Sequence, residues 1–519
     1  MVARRFVVAL VCLTGSLAYA DDALAPYVPP DFMSALPPLP ARADASATWR
    51  LDLAEALKIA LHQNLGIVIE RENVAVARLG VDVSRGSFEP LLTVGLDHNR
   101  SDQPPITVQE GGAGEVVTFI TDDWRMGLGQ RFETGTQVQL DFQNGRTRSS
   151  AGTAVEPLNF RSTLSLTVSQ PLLRGFSTDL VVPRADVLKA KISSEKERRQ
   201  LAVTAAEIVE KTEDAYWDVV QALYRYDLEL RSQKRAEEQV ALTHRQIDAG
   251  ILAPSDLISA DSVLAQRKVE VLQAEAGIDQ AWDLLRNVLN LPRDQWTRPI
   301  LPVDLPKFDA MTVSAEDELG VAIKNRPELA QLDLDLESAL ISVRQAENNQ
   351  LPQIDVGVTG SLIGQDATYG GALSGIGKAD THAYSVLLNF TWTPLRRSTS
   401  ASAEIERKRH ALTGVRRELL VQEVWFAVRD AVRAQQSAAR QVRAAATSRE
   451  LTNQSLEVEQ RKFLSNQSTN FVVAQKQLDL ANAQVQELSA VLVHKKATAA
   501  LLRATGRLLD ERHILLDAK

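Results

Sequence analysis

The stretch VLLNFTWTPLRR, Val386–Arg397, alternates apolar and polar side chains and then meets a proline; LSLTVSQPLLRG, Leu164–Gly175, does the same. In the later stretch and the two residues before it, Tyr384, Val386, Leu388, Phe390 and Trp392 share one face of an extended chain. Ser385, Asn389 and Thr391 lie on the other beside Leu387. In the earlier one Leu164, Leu166 and Val168 alternate with Thr163, Ser165, Thr167 and Ser169. A wall with lipid on one side and water on the other requires period-two alternation, and a half-buried strand of a soluble sheet shares the pattern. Pro171 and Pro394 cannot donate to a ladder, so each strand is expected to end there and turn into a helix.

Working outward, the sentence is written twice because the chain is duplicated. KIALHQNLGI (Lys58–Ile67) followed by FEPLLTVGL (Phe88–Leu96) corresponds to GVAIKNRPEL (Gly320–Leu329) followed by QLPQIDVGV (Gln350–Val358). Asn64 aligns with Arg326 and Pro90 with Pro352 at one offset, 352 − 90 = 262. Pro171 and Pro394 align at 394 − 171 = 223, so the first half holds 39 more residues between its strands, 262 − 223. These contain WRMGLGQRF (Trp124–Phe132) and TQVQLDF (Thr136–Phe142), which read as a hairpin. It either joins the wall, the reading favoured here, or stands off it as a loop. Leu92, Val94 and Leu96, and Ile354, Val356 and Val358, give the partner strands.

Helical periodicity covers 51–85, 184–248 and 255–290 in the first repeat (51–290, strands within 88–170). In the second (314–510, strands within 351–393) it covers 314–349, 396–463 and 470–508. At 1.5 Å per residue the two long helices run about 100 Å and the others about 50 to 60 Å. Two short helices stacked end to end therefore match one long neighbour, which suggests a cylinder of antiparallel helices; ordinary coiled-coil hairpins share the periodicity. Gly250, Pro254 and Asn466 mark the breaks, and proline-rich 291–313 reads as the linker between repeats. GQDATYGGALSGIGKAD (Gly364–Asp380) reads as an external loop. The fold class is mixed and mainly α, as a duplicated helix-strand-strand-long helix-helix repeat. A few strands per chain cannot close a barrel, so copies must associate.

The remaining composition bounds the function. Residues 1–20, with Arg4 and Arg5, an apolar run and Ala18-Tyr19-Ala20, read as a secretory signal, and proline-rich 21–50 as an extended strap or disordered arm. The one cysteine, Cys12, falls inside that signal, so disulfides and cysteine-ligated metals are not expected in the exported chain. Net charge is −8 with both signs interspersed along the helices, which does not suggest a nucleic-acid groove. No stretch after the signal has the length of a transmembrane helix, so a membrane crossing would be made by strands. The histidines lie without metal-ligand spacing, and Gly111-Gly112-Ala113-Gly114 lacks the strand, helix and lysine of a phosphate cradle. With no nucleophile constellation, the reading is not an enzyme and needs no cofactor. The methionines after the signal, Met33, Met126 and Met311, argue against a methionine-lined copper route.

The duplicated order, the QPLLRG and TPLRR junctions, LDLAEALKIALHQN (Leu51–Asn64), LPQIDVG (Leu351–Gly357) and AGILAPSDLISA (Ala249–Ala260) resemble the TolC-like outer-membrane efflux proteins over about residues 50 to 510. The resemblance implies a homotrimer forming a transmembrane β-barrel continued by a periplasmic α-helical barrel. It implies an outer-membrane channel of a tripartite efflux or type I secretion system, docked through a periplasmic adaptor to an inner-membrane pump or secretion ATPase. A periplasmic coiled-coil adaptor or scaffold with a soluble sheet is the alternative. In the channel reading Leu164, Leu166, Val168, Val356, Val386, Leu388, Phe390 and Trp392 face lipid. Asp256, Asp261 and Asn470 are candidates for the periplasmic gate, although Asp256 also sits where a helix cap belongs. Gly250, Ile251, Leu252, Phe463 and Leu464 are candidates for the adaptor-docking tips, or for simple helix breaks. Two departures from the family stand out: the extra hairpin, against four strands per protomer, and the lack of acids between Glu459 and Asp479.

Overall fold

Alternation in the sequence becomes a single sheet, and helical periodicity becomes a layer of long helices running away from one end of it. In a computed structural model of the protein, the described residues are 27, 30, 33, 35–40, 48–105, 116–151, 158–250, 253–309, 313–379, 381–465 and 467–516. The signal reading at 1–20, the glycine loop at 111–114, Ile251, Leu252 and Asn466 lie outside them. In chain order, the first repeat holds β1 (Trp49–Leu51), α1 (Leu53–Gln63), α2 (Leu65–Arg85), β2 (Leu91–Gln103), β3 (Val117–Arg131), β4 (Gln137–Ser149), β5 (Leu158–Pro171), α3 (Ala185–Asp248) and α4 (Ser255–Leu289). After β6 (Ile300–Pro302) the second holds α5 (Ala315–Asn325), α6 (Pro327–Asn348), β7 (Gln353–Asp366), α7 (Tyr369–Lys378), β8 (Thr381–Thr391), α8 (Arg397–Leu464), α9 (Asn470–Ala504) and α10 (Leu508–Glu511).

The expected single helices at 51–85 and 314–349 are each two. The breaks fall at Asn64 and Arg326, the pair aligned between repeats, both in extended backbone. Asn64 serves both sides of its break: its Oδ1 accepts from Gly66 N at 2.9 Å and its Nδ2 donates to Val288 O at 2.8 Å. Val288 belongs to the last turn of α4, so α2 and α4 meet end to end at this residue. Asn290, left-handed at φ 50°, closes α4 and donates to Gln63 O at 2.9 Å. Gly506, left-handed at φ 72°, is its counterpart beyond α9, and a Cβ there would come 2.9 Å from Asn325 C and O. The α4 and α9 ends thus seat the two breaks, and glycine is required where backbone meets backbone.

These joints set the layer. The coaxial pair α2 and α4 lies along one side of α3, the pair α6 and α9 along the other, and α8 lies beyond α6 and α9. Small and branched side chains fill the seams, including Leu201, Ala205 and Val209 of α3 and Val424, Val428 and Val432 of α8. A belt crosses the middle of the layer. β1 pairs in parallel with β6 from the linker, Met33 and Ala35 of the proline-rich segment meet α3 through Tyr224 (Oη to Ala35 O, 2.9 Å), and Tyr27 stacks edge-on against Phe308.

The six strands β2-β3-β4-β5-β7-β8 form one antiparallel sheet in that order. The extra residues of the first half are two full-length strands inside it, not a loop hairpin. Their turn is pinned to the strand-to-helix junction: Glu133 pairs with Arg184 at 3.2 Å, and Gly135, at φ 85°, approaches Gly175 O so closely that a Cβ would lie 3.1 Å away. Buried Asn348 at the end of α6 laces the junction, accepting from Gly175 N at 2.7 Å and donating to Leu173 O and Phe176 O. Pro171 is the last residue of β5, whereas β8 stops three residues before Pro394. The glycine-rich segment expected as a loop carries α7, folded back on β7 and β5. Gly371 and Gly375 bring it against the wall, where Gly364 lies too close to α7 to carry a side chain.

His494 of α9 lies under the belt with 2% of its surface exposed. Phe308 stacks on it at 4.8 Å, and the Gln435 amide lies 3.2 Å from its Nε2, a bond that the neutral ring accepts. Burial, with Lys495 adding and Asp309 opposing, holds its pKa below the ordinary value. The unfolded chain therefore takes up the proton first, and stability falls as pH drops below about 6.5 toward the folded-state pKa, by up to about 1.4 kcal/mol per pH unit. Thermal midpoints of the wild type and His494→Gln should diverge between pH 7.5 and pH 5, with the wild type losing more. Parallel pH profiles would contradict this account of the belt.

Candidate functional site

Ladder register shows which side chains share a face. Leu92 pairs with Leu128, Leu128 with Leu140, Leu140 with Leu166, Leu166 with Gly360, and Gly360 with Tyr384. The neighbouring rows on that face run through Val94, Met126, Phe142, Leu164 and Leu362, and through Val138, Val168, Val358 and Val386. Val356, Leu388, Ile354 and Phe390 continue it, with Trp392 just past the strand end. All eight residues expected to face lipid lie on or continue this side.

The opposite face is polar. Thr93, Gly95 and Asp97 of β2, Asp123 and Arg125 of β3, Gln139 and Asp141 of β4, Thr163 and Thr167 of β5, and Asp355 and Thr359 of β7 belong to it. Glycines let its long side chains lie flat: a Cβ on Gly95 would come 2.7 Å from Arg125 Nε, one on Gly127 2.7 Å from Asp141 Oδ1, and one on Gly145 2.5 Å from Asp123 Oδ1. Thr167 and Thr359 hydroxyls bond across strands at 3.0 Å. Such a surface carries its hydrogen bonds along the wall and leaves the space above it open.

Among the described residues both lateral edges are unpartnered. β2 and β8 end the sheet, and Leu96 and Tyr384 on them are each 84% exposed. The helices beside them continue the same edges. On α2, Leu65, Ile69, Val76, Leu79 and Val83 are exposed while Ile67, Val74 and Val81 are buried. On α8, Ile405, Leu412, Val415, Leu419 and Phe426 are exposed. Both exposed sets follow steps of three, four and seven, the period of a coiled-coil seam. Sequence reading missed these seams, because periodicity marks an apolar stripe without saying which neighbour covers it.

At the far helical end the breaks form a tip. Gly250, at φ 70°, ends α3, its N–H bonded to Ile247 O at 2.9 Å. Asp256 lies inside the first turn of α4, whose cap position is Pro254, and its carboxylate accepts from Ala253 N, just before the cap, at 3.2 Å. Asp261, one turn further, is exposed. Asn470 begins α9. Leu464 is 83% exposed at the end of α8, while Phe463 packs on Leu456, Val473 and Leu480. Exposed Ile258 and Phe471, absent from the sequence reading, join Leu464 as apolar side chains of the tip. Glu459 is held below the usual carboxylate range by the Ser468 hydroxyl and Lys462. A cavity of about 450 Å³ separates the two helical pairs, lined by Asp256, Arg267, Gln239, Phe463 and Phe471 among others. The structure thus brings Asp256 and Phe463 to one cavity. Among the described residues no helix is long and apolar enough to cross a membrane, and no group of acids, histidines or cysteines has the arrangement of a metal site.

Residues 319–507 match the family model described as Outer membrane efflux protein. No curated protein matches the sequence. Among solved structures, the CmeC outer membrane channel of Campylobacter jejuni is similar at a TM-score of 0.63 and 13% identity, covering 88% of this chain and 86% of that one. The outer membrane protein VceC of Vibrio cholerae gives 0.61 and 13%, covering 88% and 96%. The open-state MtrE outer membrane channel of Neisseria gonorrhoeae gives 0.61 and 17%, covering 88% and 89%. At these identities the likeness is one of fold, over nearly the whole length of each chain.

Proposed function

We propose that the chain is an outer-membrane export channel, closed by copies of itself. The observation that carries this reading is a sheet with one apolar and one polar face whose two open edges continue into two unpartnered helical seams. Edge β2–α2 of one copy meets edge β8–α8 of the next, a head-to-tail contact that closes as a ring. Three copies, as the family resemblance implies, would bring eighteen strands from three six-stranded sheets. The apolar face then meets lipid, the polar face lines water, and the helices continue the passage through the periplasm. Strands of 11 to 15 residues meet or exceed the 9 to 11 or so that a tilted membrane strand needs.

In this reading the channel is a passive conduit without chemistry of its own. Its tip, with Gly250, Phe463 and Leu464, receives a periplasmic adaptor, which couples it to an inner-membrane pump or secretion ATPase. Asp256 and Asp261, near the start of α9 at Asn470, supply negative charge where the passage narrows.

Leu388→Arg places a cation on the apolar face at a cost of about 2 to 4 kcal/mol at mid-membrane. The variant should fall out of the outer-membrane fraction while a charge at polar-face Thr359 is tolerated; equal recovery of both would support a periplasmic scaffold instead. In planar bilayers Asp256→Asn with Asp261→Asn should lower the preference for cations. Unchanged selectivity would remove both residues from the gate.

A further inference from the structure

The far end of the sheet carries a feature that channel function does not use. On the apolar face, Trp124 stacks edge-on with Phe142 at 5.3 Å, and Tyr369 of α7 lies 6.5 Å from Trp124 and 6.4 Å from Phe160. Aromatic side chains gather where a membrane wall passes from hydrocarbon to headgroups. Directly beyond them the same face turns ionic. The row that contains Phe160 reads His98, Asp122, Arg146, Phe160, Asp366, and the row after it Arg100, Ile120, Arg148, Leu158. Asp122 is shared between His98 Nδ1 at 2.6 Å and Arg146 at 3.4 Å, and Asp102 takes Arg100 at 3.4 Å. Three arginines thus share the face with three carboxylates, Asp102, Asp122 and, at the far end of the His98 row, Asp366, which accepts from Thr368. Arg148, exposed, borders a cavity of about 260 Å³ whose other walls include Ile120, Leu158, Thr118 and Ser150.

We propose that this outward-facing cluster binds the phosphate of an outer-leaflet lipid. The guanidinium fork of Arg148 matches a phosphate's oxygens, Arg100 and Arg146 stand beside it, each paired with a carboxylate, and the acyl chains lie on the apolar row of Leu96 and Trp124 on β2 and β3 below. An anionic group there is attracted by each arginine held near the surface. Ile120 and Leu158 at the cavity favour a phosphate that arrives with a lipid tail over a free ion. Two of the three arginines belong to the inserted strands, so the insertion supplies a lipid contact as well as extra wall. The proposal rests on the membrane orientation given above.

The test is native mass spectrometry of the assembled protein, purified from membranes in neutral detergent, against phosphatidic acid and phosphatidylcholine of matched chains. The wild type should retain phosphatidic acid about tenfold more tightly, and Arg100→Gln/Arg146→Gln/Arg148→Gln should lose that preference. Excess inorganic phosphate should leave the lipid in place. Equal retention of the two lipids by the wild type, an undiminished preference in the triple variant, or displacement by inorganic phosphate would each overturn the proposal. Should the triple variant fail to assemble, Arg148→Gln alone gives the same readout. Absence of the wild type from the outer-membrane fraction would sink the channel reading itself, whereas lipid selectivity in an assembled ring judges only the arginines.

Discussion

A sheet with two open edges cannot rest in hydrocarbon. Each unpaired N–H and C=O there costs several kcal/mol, with no water to offset it. β2 and β8 present such edges, and the apolar face between them would sit in that hydrocarbon. The rest of the design answers this constraint. The edges belong to the outermost elements of each half, and α2 and α8 carry them on as apolar seams of matching period. In the proposed ring, one lateral contact between copies would satisfy backbone groups in the wall and side chains in the helical layer together.

Duplication supplies the geometry that makes this possible. A long helix next to two coaxial short ones keeps the layer equally long on every column, and the coaxial joints at Asn64 and Arg326 hold the columns in register. Asn348 performs the corresponding task at the junction, where one amide side chain ties the end of α6 to the chain leaving β5. The belt fixes the middle and leaves the tips joined by few contacts, with an open cavity between them.

Much of this was legible in the sequence, for identifiable reasons. Alternation is strict where one face meets apolar surroundings, so Leu164 to Val168 and Tyr384 to Trp392 declared themselves. The outer thirds of β2 and β4 are polar on both faces, at His98–Gln103 and Asn144–Ser149, and in β3 Phe119 and Ile120 fall on opposite faces, so there the alternation vanishes although the ladder continues. α7 was hidden because four glycines oppose helix formation, and packing against the bare backbone at Gly364 overrides that preference. β1 and β6, three residues each, are too short for any periodicity. The breaks at Asn64 and Arg326 were aligned between repeats but read as helix, since a cap is a single-residue signal inside an unbroken apolar pattern. At the tip, Asp256 was visible as an acid; that it shares a cavity with Phe463 depends on two helical pairs meeting from distant parts of the chain.

The most direct test of the central claim is cross-linking between the open edges in native outer membranes. Cys12 is the only cysteine in the sequence, so a cysteine at Val94 on β2 can be paired in turn with one at each of Ser385, Val386, Leu387 and Leu388 on β8. Oxidation should give one closed species of fixed size that forms without larger products, because every copy offers one edge of each kind. Failure of every pair to cross-link, or an open-ended ladder of products, would contradict a wall closed by copies of this chain.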